Sequence, residues 1–269
     1  MAPLSETGLT RRLVCEIAYR GGDYHGWQVQ PGTKTVQSAI EEACSVLARS
    51  TIQVTGCGRT DAGVHAAQYF LHFDVDATAV AAFSKRALNG LLPSDIAIRQ
   101  VYRAPENFHA RYDANRRKYI YRLHTEKDPF SPFNSCQFPF AGQLSLQDLN
   151  QAAGLLDGMT EFPSFTLSGH QLNHFRCTLY ENQWRETGPR SWEYHIAANR
   201  FLRGMVRLIT GMCIQYGLGK TSLESLSMSL REGRQVEKSL SMPAPGLTLE
   251  EVGYPPEIWE RLQALDAGV

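Results

Sequence analysis

Gly56-Cys57-Gly58-Arg59-Thr60-Asp61-Ala62-Gly63-Val64-His65-Ala66 is the stretch around which the rest of the chain reads. Gly56, Gly58 and Gly63 free the backbone to take positive φ and to approach a neighbour closely. Arg59, Thr60 and Asp61 set a cation, a hydroxyl and a carboxylate side by side. That combination reads as an active-site loop; a glycine-rich β-turn with a solvated aspartate has the same spacing and is the competing reading. Two familiar phosphate loops fit poorly. A dinucleotide fingerprint needs a third glycine where Asp61 stands, and Gly58 and Gly63, though at P-loop spacing, are followed by Val64-His65 instead of Lys-Ser/Thr. What the loop offers is a carboxylate.

Working outward, Tyr69, Leu71, Phe73 and Val75 alternate with Gln68, Phe70, His72 and Asp74, so the loop leads into a strand. Upstream, Leu13, Cys15, Ile17 and Tyr19 show the same period of two up to the Gly21-Gly22 turn. Thr35 is placed to cap a helix with Val36, Ile40, Ala43 and Leu47 on one face. Downstream, residues 84–92 read as a short helix stopped by Pro93 and residues 96–101 as a strand. Together these predict a β-α-β-α-β lobe over residues 1–112.

A second lobe, 113–269, is expected from a strand at 119–124, a Pro- and Phe-rich surface loop at 128–143, and a helix capped by Ser145 with Leu146, Leu149, Ala153 and Leu156 as its stripe. A strand at 192–198, a helix from about Arg200 to Tyr216, a last strand through Leu247, Leu249 and Val252, and an amphipathic tail at 258–265 follow. On the long helix Arg200, Gly204, Arg207 and Gly211 fall on one narrow stripe. A glycine there costs about 1 kcal/mol relative to alanine, so two of them imply close approach of another backbone, with Arg207 partly buried. A surface arginine snorkelling to water is the alternative.

The 269 residues, 43% apolar and 20% charged, suffice for one large domain or two lobes, of which the pattern favours two. No apolar run approaches the ~20 residues that cross a bilayer, and residues 1–12 lack the apolar core of a signal peptide, so a cytoplasmic protein without membrane partners is expected. The six cysteines form no Cys-x-x-Cys pair and the histidines no His-Glu-x-x-His pattern. Free thiols and no metal site are predicted, with His65 and His72 as packing or hydrogen-bonding residues. Lys and Arg balance Asp and Glu at 27 each, so net charge does not suggest nucleic acid. Distribution does: Arg111, Arg116, Arg117, Lys118 and Arg122 interleave with Tyr112, Tyr119 and Tyr121, the mixture of cations and π-faces that holds phosphates and bases. A solvated basic strand has the same composition.

With these residues in place, the chain resembles the TruA family of tRNA pseudouridine synthases over most of its length. The resemblance rests on Tyr24-His25-Gly26-Trp27-Gln28, Thr35-Val36-Gln37, the run from Gly58 to Ala66, Leu88-Asn89-Gly90-Leu91-Leu92-Pro93 and Phe108-His109-Ala110-Arg111. Phe201-Leu202 with Met205-Val206-Arg207, and Ala244-Pro245-Gly246-Leu247, complete it. It implies an α+β pseudouridine synthase fold, in which two α/β lobes share a central, mainly antiparallel sheet with the active-site cleft between them. It further implies a homodimer that isomerises uridine to pseudouridine in the anticodon stem-loop of tRNA, with no cofactor.

Carried over position by position, Asp61 resembles the catalytic carboxylate, Tyr119 the tyrosine lying against the target base, Arg207 the cation paired with the aspartate, and Arg59 the residue assisting base flipping. Arg20 and Gly22 stand where many members have Asp and Thr, and Cys57 where Ala is common. The carboxylate of such an enzyme could attack C1′, attack C6 or remove the C2′ proton, and the sequence leaves all three routes open. A tRNA-binding protein without catalysis is the rival reading, separated by substituting Asp61.

Overall fold

Burial of Leu13, Cys15, Ile17 and Tyr19 makes Thr10–Tyr19 the first strand, β1, of an α+β structure whose strands pair mainly antiparallel. The structure is a computed structural model that describes residues 9–127, 134–167, 174–236 and 240–265. After β1 come α1 (Val36–Ala48), the two-residue β2 (Thr55–Gly56), β3 (His65–Asp76), α2 (Lys85–Leu91) and β4 (Ile96–Ala104). Then follow β5 (Arg116–His124), β6 (Cys136–Gln137), α3 (Leu146–Gly154), β7 (Leu179–Gly188), β8 (Ser191–Ala198), α4 (Met205–Gly217), α5 (Leu223–Arg231) and β9 (Leu247–Gly253). The chain closes with α6 (Pro256–Trp259) and β10 (Gln263–Ala264).

The chain divides into two compact units, residues 1–115 with 251–269, and residues 116–250. In the first unit the strand order is β10-β4-β1-β3, with β2 against β3. Thr35 caps α1 as its sequence predicts: its side chain accepts the Ser38 N–H and the Ser38 side chain answers the Thr35 N–H, satisfying two donors that a helix start leaves open. Ser84 does the same for α2 through the Ala87 N–H. Helix α1 buries Val36, Ile40, Ala43 and Cys44, the last beside Cys15 of β1.

The expected second lobe, 113–269, differs from this division at its end: residues 251–269 belong to the first unit. The physical cause is aromatic. Trp259 lies against Phe70 and Tyr102 at 5.7 and 5.6 Å, Tyr254 against Phe70 and Phe108, and β10 pairs with β4. The amphipathic tail expected at 258–265 is accordingly one helical turn followed by a strand, because these short-range ring contacts and the β4 edge outweigh helical periodicity.

In the second unit the order is β9-β5-β8-β7, with β6 parallel to β5. One sheet face is apolar: Trp184 stacks on Tyr194 at 5.0 Å, and the Asn182 amide ties β7 to α3 by donating to the Ala153 carbonyl at 2.8 Å. Strands alternate their side chains, so the other face carries Lys118, Arg122, Glu181, Glu193 and His195 as an ionic layer. Strand β7 and helix α5 had no counterpart in the sequence reading. Of the loop expected at 128–143, residues 134–143 hold β6 and a single 3₁₀ turn, and 128–133 lie outside the described residues. All six cysteines are buried free thiols.

Candidate active site

The Asp61 loop is held by main-chain bonds to a neighbouring loop of the first unit. Trp27 N–H donates to the Thr60 carbonyl at 3.1 Å, Gly63 N–H to the Tyr24 carbonyl at 3.3 Å, and Val64 N–H closes the turn onto the Asp61 carbonyl at 3.1 Å. Gly26 makes that approach possible: at φ +88 a side chain would be strained, and a Cβ would sit 2.7 Å from the Thr60 oxygen. From beneath, the Tyr19 hydroxyl meets the Thr60 hydroxyl at 2.8 Å, and Tyr69 donates to the Gly58 carbonyl at 2.6 Å. Tyr19, Trp27 and Tyr69 form one aromatic cluster, Trp27 and Tyr69 being 4.2 Å apart. Asp61 itself is half-buried and Arg59 exposed.

The three loop glycines serve different ends. Gly63 adopts φ +80; a Cβ on Gly56 would meet the Tyr69 hydroxyl at 2.0 Å and the Trp27 ring at 2.7 Å, so its close neighbour is the protein's own core; Gly58 faces open space. His65 and His72 act as acceptors for backbone N–H groups, from Gly21 and Ala110. Next to the loop, the Tyr24 hydroxyl donates to Asp95 at 2.7 Å, which with burial raises the Tyr24 pKa. Tyr24 therefore stays a neutral anchor.

The other sequence-predicted residues lie in the second unit, except Arg111, which is exposed in the first. Tyr119 of β5 is half-buried, with the edge of Phe201 against its ring at 5.2 Å and 89°. Arg207 occupies the first turn of α4. The helix dipole disfavours a cation there, so helix stability does not explain the residue. Its Nε donates to the Met242 carbonyl while its own carbonyl accepts the Met242 N–H. Tyr121, near enough for Arg207 to bear on its hydroxyl, donates to the Pro243 carbonyl at 2.7 Å and packs on Gly246, where a Cβ would lie 2.5 Å from its ring. Residues 242–246 thus hold Arg207 and Tyr121 together. Arg207 is partly buried, as its sequence suggests, rather than snorkelling at the surface.

Two sequence expectations change here. Helix α4 starts at Met205, because Gly204 takes φ +72 as its N-cap; Arg200 and Gly204 therefore lie outside the helix and the four-residue stripe reduces to Arg207 and Gly211. Gly211 is the close approach, with a Cβ only 1.7 Å from the Leu240 carbonyl oxygen. The basic segment also divides. Arg117 shares a strand face with Tyr119 and donates to the Asn199 carbonyl at 2.9 Å, whereas Lys118 and Arg116 point to the ionic layer, 2.8 and 3.6 Å from Glu181. Tyr19, Phe201 and Met242, which brace Thr60, Tyr119 and Arg207, were not singled out as site residues. Only Phe201 carried a signal, by its place in the quoted motif; the other two act through contacts distant in sequence.

A mainly antiparallel α+β fold that presents an aspartate on a loop braced by main-chain and hydroxyl bonds suits the class of enzyme that works with a carboxylate. The family profile described as tRNA pseudouridine synthase matches residues 17–113 and 152–255. The chain belongs to that family. It is similar to tRNA pseudouridine synthase A of Bacillus subtilis, 38% identical over 90% of this chain and 99% of the relative. It is likewise similar to the proteins of that name from Porphyromonas gingivalis, 37% identical over 92% and 99%, and Parabacteroides distasonis, 34% identical over 93% and 98%.

Proposed function

We propose that this protein isomerises uridine to pseudouridine in the anticodon stem-loop of tRNA, acting as a cytoplasmic homodimer with Asp61 as the catalytic carboxylate. The observation that carries the reading is the Asp61 loop itself, fixed by Trp27, Tyr24 and Tyr19 as a site needs to be and as a solvated turn does not. In the reaction the bond from C1′ to N1 of uracil breaks, the freed base turns, C1′ bonds to C5, and the proton that C5 then gives up is balanced by one taken up at N1. Atoms and electrons balance within the nucleotide, so the step calls for no oxidant or water.

The target uridine is stacked in RNA and must leave the stack, at a cost of a few kcal/mol. Tyr119, steadied by Phe201, offers a face for the extruded base, and Arg59, exposed, is suited to occupy the space it leaves. Arg207 supplies the cation that favours an ionised carboxylate. Of the basic residues expected to meet RNA, Arg111 and Arg117 are proposed to contribute phosphate contacts, Arg116 and Lys118 being engaged by Glu181. The decisive experiment is Asp61→Asn, which keeps size but cannot act as nucleophile or base. Pseudouridine formation on unmodified tRNA should vanish while tRNA binding persists. An active variant would overturn the assignment. Light scattering that found only monomer would overturn the dimer, and an unmodified anticodon arm in otherwise modified tRNA would overturn the choice of substrate region.

A further inference from the structure

Tyr112 is 75% exposed, the highest value among the exposed large apolar and aromatic side chains of the described residues, yet it is not loose. Its ring stacks on His109 at 4.1 Å with 28° between planes, and the Arg111 guanidinium lies 5.8 Å from its centroid. His109 is itself fixed. Its ring Nδ1 accepts the N–H groups of both Arg111 and Tyr112 at 3.2 Å, its main-chain N–H donates to the Asp113 carboxylate at 2.8 Å, and its ring leans on His72, a buried residue of β3, at 4.8 Å. Burial lowers the His109 pKa, so the imidazole that supports Tyr112 is neutral near pH 7. The result is a column of rings rising from the sheet, His72, His109 and Tyr112, that ends at solvent beside a cation.

The geometry points to Tyr112 as a stacking platform for an unpaired base of the tRNA other than the uridine being isomerised. An aromatic side chain that protein packing does not require, held in place by a second ring and flanked by a guanidinium, matches how single-stranded nucleic acid is gripped: the base adds to a stack already built, and the cation neutralises its phosphate. A pre-stacked ring also loses little rotamer freedom on binding. Stacking is tolerant of sequence because every base has a π-face, so the platform orients the RNA without selecting a base. This inference rests on the proposal that the substrate is tRNA.

The test uses the full chain with Tyr112→Ala, Tyr112→Phe and Tyr112→Trp. Binding to unmodified tRNA is read as Kd against salt, and isomerisation as single-turnover rate at saturating tRNA. Tyr112→Ala should weaken binding by about tenfold with the slope of log Kd against log salt kept, since a base and not a phosphate is lost, and Phe and Trp should restore it. The loss should fall on Kd and not on the saturated rate. Unchanged Kd in Tyr112→Ala would overturn the platform, as would a loss that tracked dissociation into monomers in light scattering, which would make the ring a protein contact. A wild-type protein that forms no pseudouridine in tRNA fails the functional reading instead, and is told apart because it needs no Tyr112 variant.

Discussion

Thr60 is where single residues decide most in this protein, because its carbonyl and its hydroxyl are both used to hold the residue after it. Tyr19→Phe keeps the ring and removes the hydroxyl that meets Thr60. We expect a stability loss of about 1 kcal/mol, in line with one buried hydrogen bond, and a larger effect on rate, because a shift of the carboxylate by a fraction of an ångström costs catalysis disproportionately. The fall should lie in kcat rather than in tRNA affinity; equal losses in both, or none, would show that the bond does not position Asp61. At this scale the sequence offers candidates for the chemistry and is silent about what steadies them. Asp61 and Arg207 stand inside recognisable runs, and Tyr119 in a segment marked by its cations and tyrosines. Tyr19 reads only as the inward residue of a strand, since its partner is 41 positions away. The glycines were half legible: Gly63 is needed for its backbone angle, while Gly56 makes room for Trp27 and Tyr69 rather than for a ligand.

Elements that alternate faces separate residues that are neighbours in sequence. Strand β5 shows this most clearly, sending Arg117 and Tyr119 one way and Arg116 and Lys118 the other, toward Glu181. Neutralising Lys118 should therefore leave the dependence of tRNA binding on salt nearly unchanged, whereas neutralising Arg117 should reduce the log-log slope by roughly 0.7 to 0.9. Equal slopes for the two variants would mean that the ionic layer meets RNA as well. Helix α4 gives a second case. Gly211→Ala would gain about 1 kcal/mol of helix propensity, but its methyl would enter the Leu240 carbonyl, and we expect net destabilisation of at least about 2 kcal/mol in urea denaturation. A stabilised variant would show that the 240–242 segment yields easily. Helix caps at Thr35 and Ser145 are readable because capping is local chemistry. The start of α4 is not, since Gly204 looks helical by spacing and is left-handed by tertiary demand. Strand β7 leaves little sequence signal because it is a polar edge, with Trp184 its one buried side chain.

For the molecule as a whole, acid should be the first stress to tell. Burial, with Arg12 and His109 adding repulsion, lowers the His72 pKa to about 4. An unfolded histidine titrates near 6.5, so the unfolded chain takes up a proton that the folded one refuses. Stability from this group is complete above about pH 6.5 and falls as pH drops toward 4. The expected loss is about 3 kcal/mol from His72, and Asp74, held low by its bond to Arg12, extends the decline below that. His72→Asn, whose side-chain oxygen can still accept the Ala110 N–H, should flatten the decline between pH 6.5 and 4; an unaltered slope in urea titrations at stepped pH would assign the effect elsewhere. Strands β1, β3 and β5 and helices α1 and α3 follow from local patterns, and the α+β class from the family resemblance. The return of the C-terminal tail does not, since it depends on rings at 254 and 259 finding partners near residues 70 and 102.

That return has a consequence for how the protein is made. Residues 116–250 are emitted by the ribosome as one uninterrupted block, while the unit bearing Asp61 begins first and is completed last. Until Tyr254 and Trp259 emerge, Phe70 lacks two of its ring partners and β4 has no β10 beside it. The usual order of co-translational folding, N-terminal part first, is thereby inverted: the later block can settle while the nascent Asp61 unit still waits for its final strand. A released chain ended after residue 250 should show a protease-resistant second unit and a first unit still open to cleavage.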